Sequence, residues 1–161
     1  MIIIVFGLAA SGKTYIGELI AKYFGYHHED ADQWLLDEMK QCILNKEIFT
    51  TPMLSKFTTK VIKEIKDLKQ NYSNLVVSQA FYRSKNREEI LKNFQKEELL
   101  FIQVNAKDEI ILERLKKRGD WVCSGYASGM RQYFEEMNEA KVINNNNLED
   151  LDIIKQLKEI I

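Results

Sequence analysis

Apolar positions along the chain fall into two kinds of pattern. Ile2-Ile3-Ile4-Val5-Phe6 is apolar without alternation, which suits a central parallel strand covered on both faces. From Lys13 to Phe24 the residues Ile16, Leu19, Ile20, Tyr23 and Phe24 recur at helical spacing, and Gly25 supplies the stop. Tyr26 to Glu29 reads as a short second strand leading to Asp30-Ala31-Asp32. Two helices are predicted next, Gln33 to Asn45 and Leu54 to Gln70. Thr50-Thr51-Pro52 separates them, and the only proline in the chain starts the second. Asn74 to Gln79 reads as a third strand, Ser84 to Phe94 as a helix, Leu99 to Val104 as a fourth strand, and Asp108 to Arg118 as a helix whose C-terminal cations suit its dipole. Gly119, Ser124, Gly125, Ser128 and Gly129 then cluster, so residues 119–129 are expected to form a mobile loop. Met130 to Met137 returns to helix, Lys141 to Asn144 forms a short last strand, and Asn144 to Asn147 a polar turn. Leu148 to Ile161 forms a final helix with Leu151, Ile154, Leu157 and Ile161 inward and Lys158 in solvent. Strands alternating with helices imply right-handed crossovers and a parallel sheet, hence a three-layer α/β/α domain. A ligand belongs at the carboxyl ends of its strands.

At 161 residues the chain is expected to be one domain, 1–161, able to bury a core without metal or disulfide support. Its formal charge of −1, from 23 basic and 24 acidic residues, gives no general attraction to nucleic acid or anionic lipid. Any anion site must be local. Cys42 and Cys123 lie far apart and outside any CxxC spacing, which argues against a disulfide framework or zinc site and for a reducing compartment. The N-terminal apolar run is too short for a signal peptide and lacks a basic flank, and no stretch approaches the length of a membrane span. A cytoplasmic protein without a membrane partner is expected. His27 and His28 are adjacent, so in a strand they face opposite ways and cannot chelate one metal together.

The chemistry concentrates at Gly7-Leu8-Ala9-Ala10-Ser11-Gly12-Lys13-Thr14, between the first strand and the first helix. It fits the P-loop pattern GxxxxGK[S/T] at every fixed position and in the context the pattern requires. A polyphosphate must lie against the backbone, so Gly7 and Gly12 stand where a side chain would block approach or forbid the torsions. The first helical turn adds unpaired N–H groups and a positive dipole end. Lys13 is expected at the β- and γ-phosphates, with the Thr14 hydroxyl on Mg2+.

Phosphoryl transfer needs few further parts, and the chain offers a candidate for each. Asp32 lies past the second strand at the P-loop end of the sheet, where a carboxylate can take a proton from a substrate hydroxyl. Asp30 can hold a water on Mg2+. The structural alternative for either is an exposed loop aspartate or an N-cap for the helix expected from Gln33. Arg118 ends a helix just before the Gly/Ser loop, with Arg114 one turn earlier. Both are candidates for the γ-phosphate, and the alternative is a solvated basic helix end. Arg131 is a weaker candidate of the same type. Trp121 and Tyr126 either pack over substrate or close the loop against the core.

The N-terminal P-loop, Asp30-Ala31-Asp32 after the second strand, RLKKR before a Gly-rich loop, and KVINNNNLEDL near the end together resemble the small P-loop kinases. These include shikimate kinase, gluconate kinase and related nucleoside monophosphate kinases. The resemblance covers essentially the whole chain, with only the P-loop specific by itself. It implies a five-stranded sheet of order 2-3-1-4-5, a substrate-binding helical region at 33–70 and a lid at 119–130. It also implies ATP with Mg2+ as donor, Asp32 as base, Arg118 as the lid-side arginine, and Asn144, Asn145 and Asn146 near adenine. Relatives usually have glycine where this chain has Ala10. The arginine and triple glycine of shikimate kinase and the histidine-proline pair of gluconate kinase are absent. The strand ending Val77-Ser78-Gln79 matches gluconate kinase better, and Ser78 to Arg87 is also similar to polynucleotide kinase-like members. The implied function is an ATP-dependent kinase, monomeric or homodimeric, phosphorylating a hydroxyl of a small metabolite such as a sugar acid. The alternatives are a nucleoside, nucleotide or polynucleotide 5′-end kinase, or a non-catalytic nucleotide-binding switch.

Overall fold

In the computed structural model, residues 1–118 and 124–161 are described. Strand β1 (Ile2–Phe6) runs up the middle of one sheet, with every residue 0% exposed. It pairs in parallel with β3 (Leu75–Ser78) on one side and β4 (Leu99–Asn105) on the other. The outer strands β2 (His27–Asp30) and β5 (Lys141–Asn144) complete the order β2-β3-β1-β4-β5, all parallel. The unbroken apolar run of β1 is explained by the two layers. Ile2, Ile4 and Phe6 join one core and Ile3 and Val5 the other, because successive side chains leave opposite faces of a strand.

Helices α1 (Lys13–Phe24) and α7 (Asp150–Lys158) cover the Ile3/Val5 face. On the other face lie α2 (Asp37–Asn45), α3 (Thr51–Leu68) and α4 (Ser84–Asn93). Helix α3 begins three residues before the expected Leu54, because the Thr50 hydroxyl accepts from the Met53 amide and Pro52 fits the first turn. The helix expected from Gln33 does not start there. Residues Ala31–Trp34 form a 3-10 turn, and α2 starts at Asp37, since Trp34 and Leu35 are drawn into the core. In α7 the buried positions are Ile153, Ile154 and Leu157, while Leu151 is 70% exposed and Ile161, beyond the helix end, 40%. The apolar stripe is thus rotated from the expected one, and Leu151 falls outside it. Tyr23 at the end of α1 is likewise 47% exposed.

The largest departures follow α5 (Asp108–Arg118). The expected loop over 119–129 is in part a helix, α6 (Ser124–Arg131), despite its glycines. Its buried Ala127 and Met130 stand three apart, and Ala127 packs into a small cluster with Ala10, Ile111 and Leu115. Packing here outweighs the roughly 1 kcal/mol that each helical glycine costs. The expected helix from Met130 to Met137 stops at Arg131 instead. The segment beyond is claimed by non-local bonds: the Glu135 amide donates to the Tyr82 carbonyl at 2.8 Å, and Arg87 donates to the Glu135 and Glu136 carbonyls. The remaining expected loop residues, 119–123, lie outside the described residues.

Candidate active site

The phosphate-loop segment occupies the carboxyl end of β1, in the crevice between β3 and β4. Gly7 has φ 148°, and a Cβ there would lie 2.5 Å from the Val104 carbonyl oxygen. Gly12 has φ 102°, and its Cβ would lie 2.1 Å from Asn145 Nδ2. Both glycines are therefore required by torsion and by space. Ala10 also takes a left-handed conformation, φ 63°, which explains why glycine is the usual residue at that point of a resembling loop. Gly12 caps α1 without any side-chain hydrogen bond, leaving first-turn amides for an external anion. Ser11 Oγ is buried in the same loop with no partner among the described residues. Lys13 Nζ donates to the Leu8 carbonyl at 2.9 Å, folding back along the loop it is expected to serve.

Below the loop, Arg114 donates to the Ala10 and Ser11 carbonyls at 3.2 and 3.0 Å, and to the Asn145 carbonyl and Asn147 Oδ1 at 3.2 and 3.0 Å. Asn145 Nδ2 donates to the Ser11 carbonyl at 3.0 Å. The guanidinium thus ties the phosphate loop to the turn after β5. Ala10, Gly12, Arg114, Asn145 and Asn147, with Tyr15, Lys117 and Leu148, line a cavity of about 490 Å3, in the size range of small-molecule sites. Of the asparagine run, Asn145 and Asn147 line it. Asn144 does not: its backbone is held by Gln156 at 3.0 and 3.2 Å, and Asn146 Oδ1 accepts from the Lys107 amide at 2.8 Å.

On the other side of the loop a chain of polar groups runs outward. Thr14 Oγ1 donates to Asp30 Oδ2 at 2.7 Å, and Asp30 Oδ1 accepts from the Asp32 amide at 3.0 Å. Asp30, not Asp32, is therefore the cap of the 3-10 turn. Gln79 Nε2 donates to Asp32 Oδ1 at 2.9 Å while its Oε1 accepts from the Ala80 amide, so the glutamine at the end of β3 orients the carboxylate. Tyr82 Oη accepts from the Ala9 amide at 3.1 Å. Burial pushes the Tyr82 phenol above its ordinary range, against the pull of that amide. Thr14 and Asp30 provide adjacent hard oxygens. No group of three or more His, Cys, Asp or Glu gathers among the described residues, and Mg2+, which keeps several waters, needs none. His27 bonds Glu29 and stacks on Tyr72 at 3.8 Å, whereas His28 Nε2 meets Ser78 Oγ at 3.0 Å, so the two serve different neighbours.

Next to Gln79 opens a cleft in two halves. The inner, with about 70 Å3 of free volume, is walled mainly by apolar side chains including Leu35, Met39, Phe57, Phe81 and Met130. The outer, of about 370 Å3, adds polar groups and shares Phe49, Leu54, Thr58, Arg83 and Asn86 with it. In the sequence Ser78 to Arg87 carries a family resemblance, but one that assigns no role to Gln79, Tyr82 or Asn86. Only their distance from the P-loop in space, through β3, brings Gln79, Tyr82 and Asn86 into the site. Arg87 is 1% exposed and donates to the Phe81 carbonyl, with its guanidinium 4.8 Å from the Phe6 ring, so it braces the fold under the site. Arg131 pairs with Asp108 at 2.6 Å. The Arg118 side chain and residues 119–123, including Trp121, lie outside what the structure describes, as does the Tyr126 side chain.

A family model described as an AAA domain matches residues 3–144. A protein of Dictyostelium discoideum described as a probable gluconokinase is 26% identical over 166 residues, covering 100% of this chain and 82% of the relative. Among solved structures, a sugar kinase from a Janibacter species superposes with a TM-score of 0.85 at 15% identity, covering 99% of this chain and 92% of that one. A gluconokinase from Sinorhizobium meliloti does so with a TM-score of 0.79 at 18% identity, covering 96% and 87%. With the phosphate loop, the parallel sheet of order β2-β3-β1-β4-β5 and these matches together, the chain belongs to the AAA domain family and has the fold of the small P-loop kinases.

Proposed function

We propose that the protein is an ATP-dependent kinase that transfers the γ-phosphoryl group to a hydroxyl of a small molecule. The observation that carries this is the run Thr14, Asp30, Asp32, Gln79, which joins the phosphate loop to a carboxylate at the lip of a separate cleft. A switch that merely binds nucleotide has no use for the second cleft or for a carboxylate held by a residue that lines it. Lys13 and the first-turn amides of α1 would hold the β- and γ-phosphates. Thr14 and Asp30 would hold Mg2+, which when bound offsets phosphate charge. Asp32 would align the acceptor hydroxyl and take its proton as the new bond forms. The cavity beside Arg114 would take the base. Arg118, at the end of α5, and a lid over 119–130 would stabilise the transferred group and exclude water.

Acceptor-stimulated ADP release, measured across sugar acids, nucleosides and nucleotides, tests this directly. At least one acceptor should raise turnover well above background hydrolysis, and Lys13→Ala should abolish the increase. Nucleotide binding with no acceptor effect anywhere in the panel would leave the switch as the correct account.

A further inference from the structure

The acceptor cleft has chemistry of its own. Thr58 Oγ1 donates to the Leu54 carbonyl at 2.8 Å, which spends its hydrogen, so its oxygen accepts from Asn86 Nδ2 at 2.7 Å. The second hydrogen of Nδ2 is directed at the same Leu54 carbonyl at 3.3 Å. Two acceptors on one side of the amide determine which end is nitrogen. Asn86 Oδ1 is then left without a protein partner among the described residues, on a residue only 9% exposed. Among the described residues the polar side-chain atoms sealed away without a partner are Ser11 Oγ and Arg87 Nε. Asn86 Oδ1 is not one of them, and Asn86 lines both halves of the cleft. An acceptor oxygen is thus presented to whatever fills it, and an unmet one is costly at such a place.

The charges around the cleft cancel. Its charged lining residues are Arg83, Lys85, Glu89 and Glu135. Arg83 lies 3.5 Å from Glu135 and 4.6 Å from the Tyr133 ring centroid. A carboxylate or phosphate entering here meets no excess of positive charge among the described residues, and its desolvation would go uncompensated. A chain of hydroxyls would fare badly for a related reason, since the inner walls are almost wholly apolar.

We infer that the acceptor is a neutral, ring-bearing alcohol of nucleoside type. The flat ring spans the two halves of the cleft with one face on the apolar wall, an N–H on the ring edge donates to Asn86 Oδ1, and the hydroxyl lies at Asp32 beside Gln79. Transfer breaks the bond between the γ-phosphorus and the β,γ-bridging oxygen, forms one to the acceptor oxygen, sends the hydroxyl proton to Asp32 and releases ADP. This proposal rests on the kinase reading above and narrows it.

The test uses the full chain with saturating ATP–Mg2+ and three probes: thymidine, 2′-deoxyadenosine and D-gluconate. ADP release is measured for each, and binding by saturation-transfer NMR. A nucleoside should exceed gluconate in kcat/KM by about tenfold or more, the least expected when a buried polar group is matched instead of stranded. Asn86→Leu should raise the nucleoside KM by about tenfold or more with ATP KM unchanged. The binding measurement on the unaltered protein decides the matter even if that variant folds poorly. Gluconate turnover with no nucleoside binding overturns the proposal and leaves the kinase standing. Nucleoside binding without turnover of any probe overturns the nucleoside as acceptor, and the wider acceptor panel then decides the kinase reading. Absence of both binding and turnover for all three probes overturns the proposal, and the kinase reading then rests on the wider acceptor panel.

Discussion

Asp32 and Ala10 show how much depends on single torsions and single hydrogen bonds. Asp32 is exposed, yet Gln79 and the backbone bond to Asp30 restrict where its carboxylate can go. An asparagine at position 32 can still offer its Oδ1 to Gln79, so Asp32→Asn tests the base and not the geometry. Turnover should fall by about 10²- to 10⁴-fold, the usual worth of acid–base assistance, with little change in ATP KM in steady-state assays. A parallel loss of ATP affinity would assign the residue to the metal side with Asp30. Ala10 at φ 63° carries the strain a glycine would relieve, set against the chain entropy that glycine adds.

At the scale of elements, packing decides signs that propensity would predict the other way. Gly17 sits inside α1, where alanine is ordinarily about 1 kcal/mol better. Here an added Cβ would lie 2.3 Å from His28 Nε2 and 2.6 Å from Cδ2. The ring cannot move away without losing Ser78 Oγ at 3.0 Å. Gly17→Ala should therefore destabilise by about 1–3 kcal/mol, the usual cost of overpacking, as read from the urea midpoint. The same contact gives a pH dependence. Burial lowers the His28 pKa from 6.5, outweighing Asp30, Glu18 and Glu29, which raise it. The unfolded chain thus takes up the proton first on acidification. The stability associated with the neutral ring is complete above about pH 6.5 and is lost as pH falls through the folded value. Thermal unfolding at pH 7.5 and 5.5 should show a drop that is smaller in His28→Gln, and an equal drop in both would assign it to other groups.

At the scale of the molecule, a nucleotide bridging the phosphate loop, α5 and the turn after β5 would fasten together parts now joined mainly through Arg114. ATP–Mg2+ at 100 times its dissociation constant should add about 2.7 kcal/mol to stability. The accompanying rise in Tm should be lost in Lys13→Ala. Closure is tested by Arg118→Ala, which should lower kcat more than it raises KM, because charge on the transferred group grows toward the transition state. Trp121 in a Trp34→Phe background should change its fluorescence when ATP–Mg2+ and acceptor are both present. An unchanged signal would count against a lid.

What the sequence determined by itself is whatever rests on local rules. The non-alternating run of β1 fixed a strand buried on both faces, GxxxxGKT fixed the phosphate loop, and strand-helix alternation fixed a parallel sheet, because each depends on torsions and periods that neighbouring residues impose. The resemblance carried by the same residues also brought the strand order that the structure shows. Tertiary structure decided the rest. Ser124–Arg131 is helical because Ala127 and Met130 find a core, and the chain beyond is straightened by Arg87 and Tyr82 from about fifty residues away. Arg114 became a clamp on the loop, and Gln79 and Asn86 entered the site, only through the pairing of distant strands. Side-chain amides and buried guanidinium groups carry no periodic signature. Their roles depend on which carbonyls and carboxylates the folded chain sets beside them, and that is a property of contacts between segments, not of any one segment.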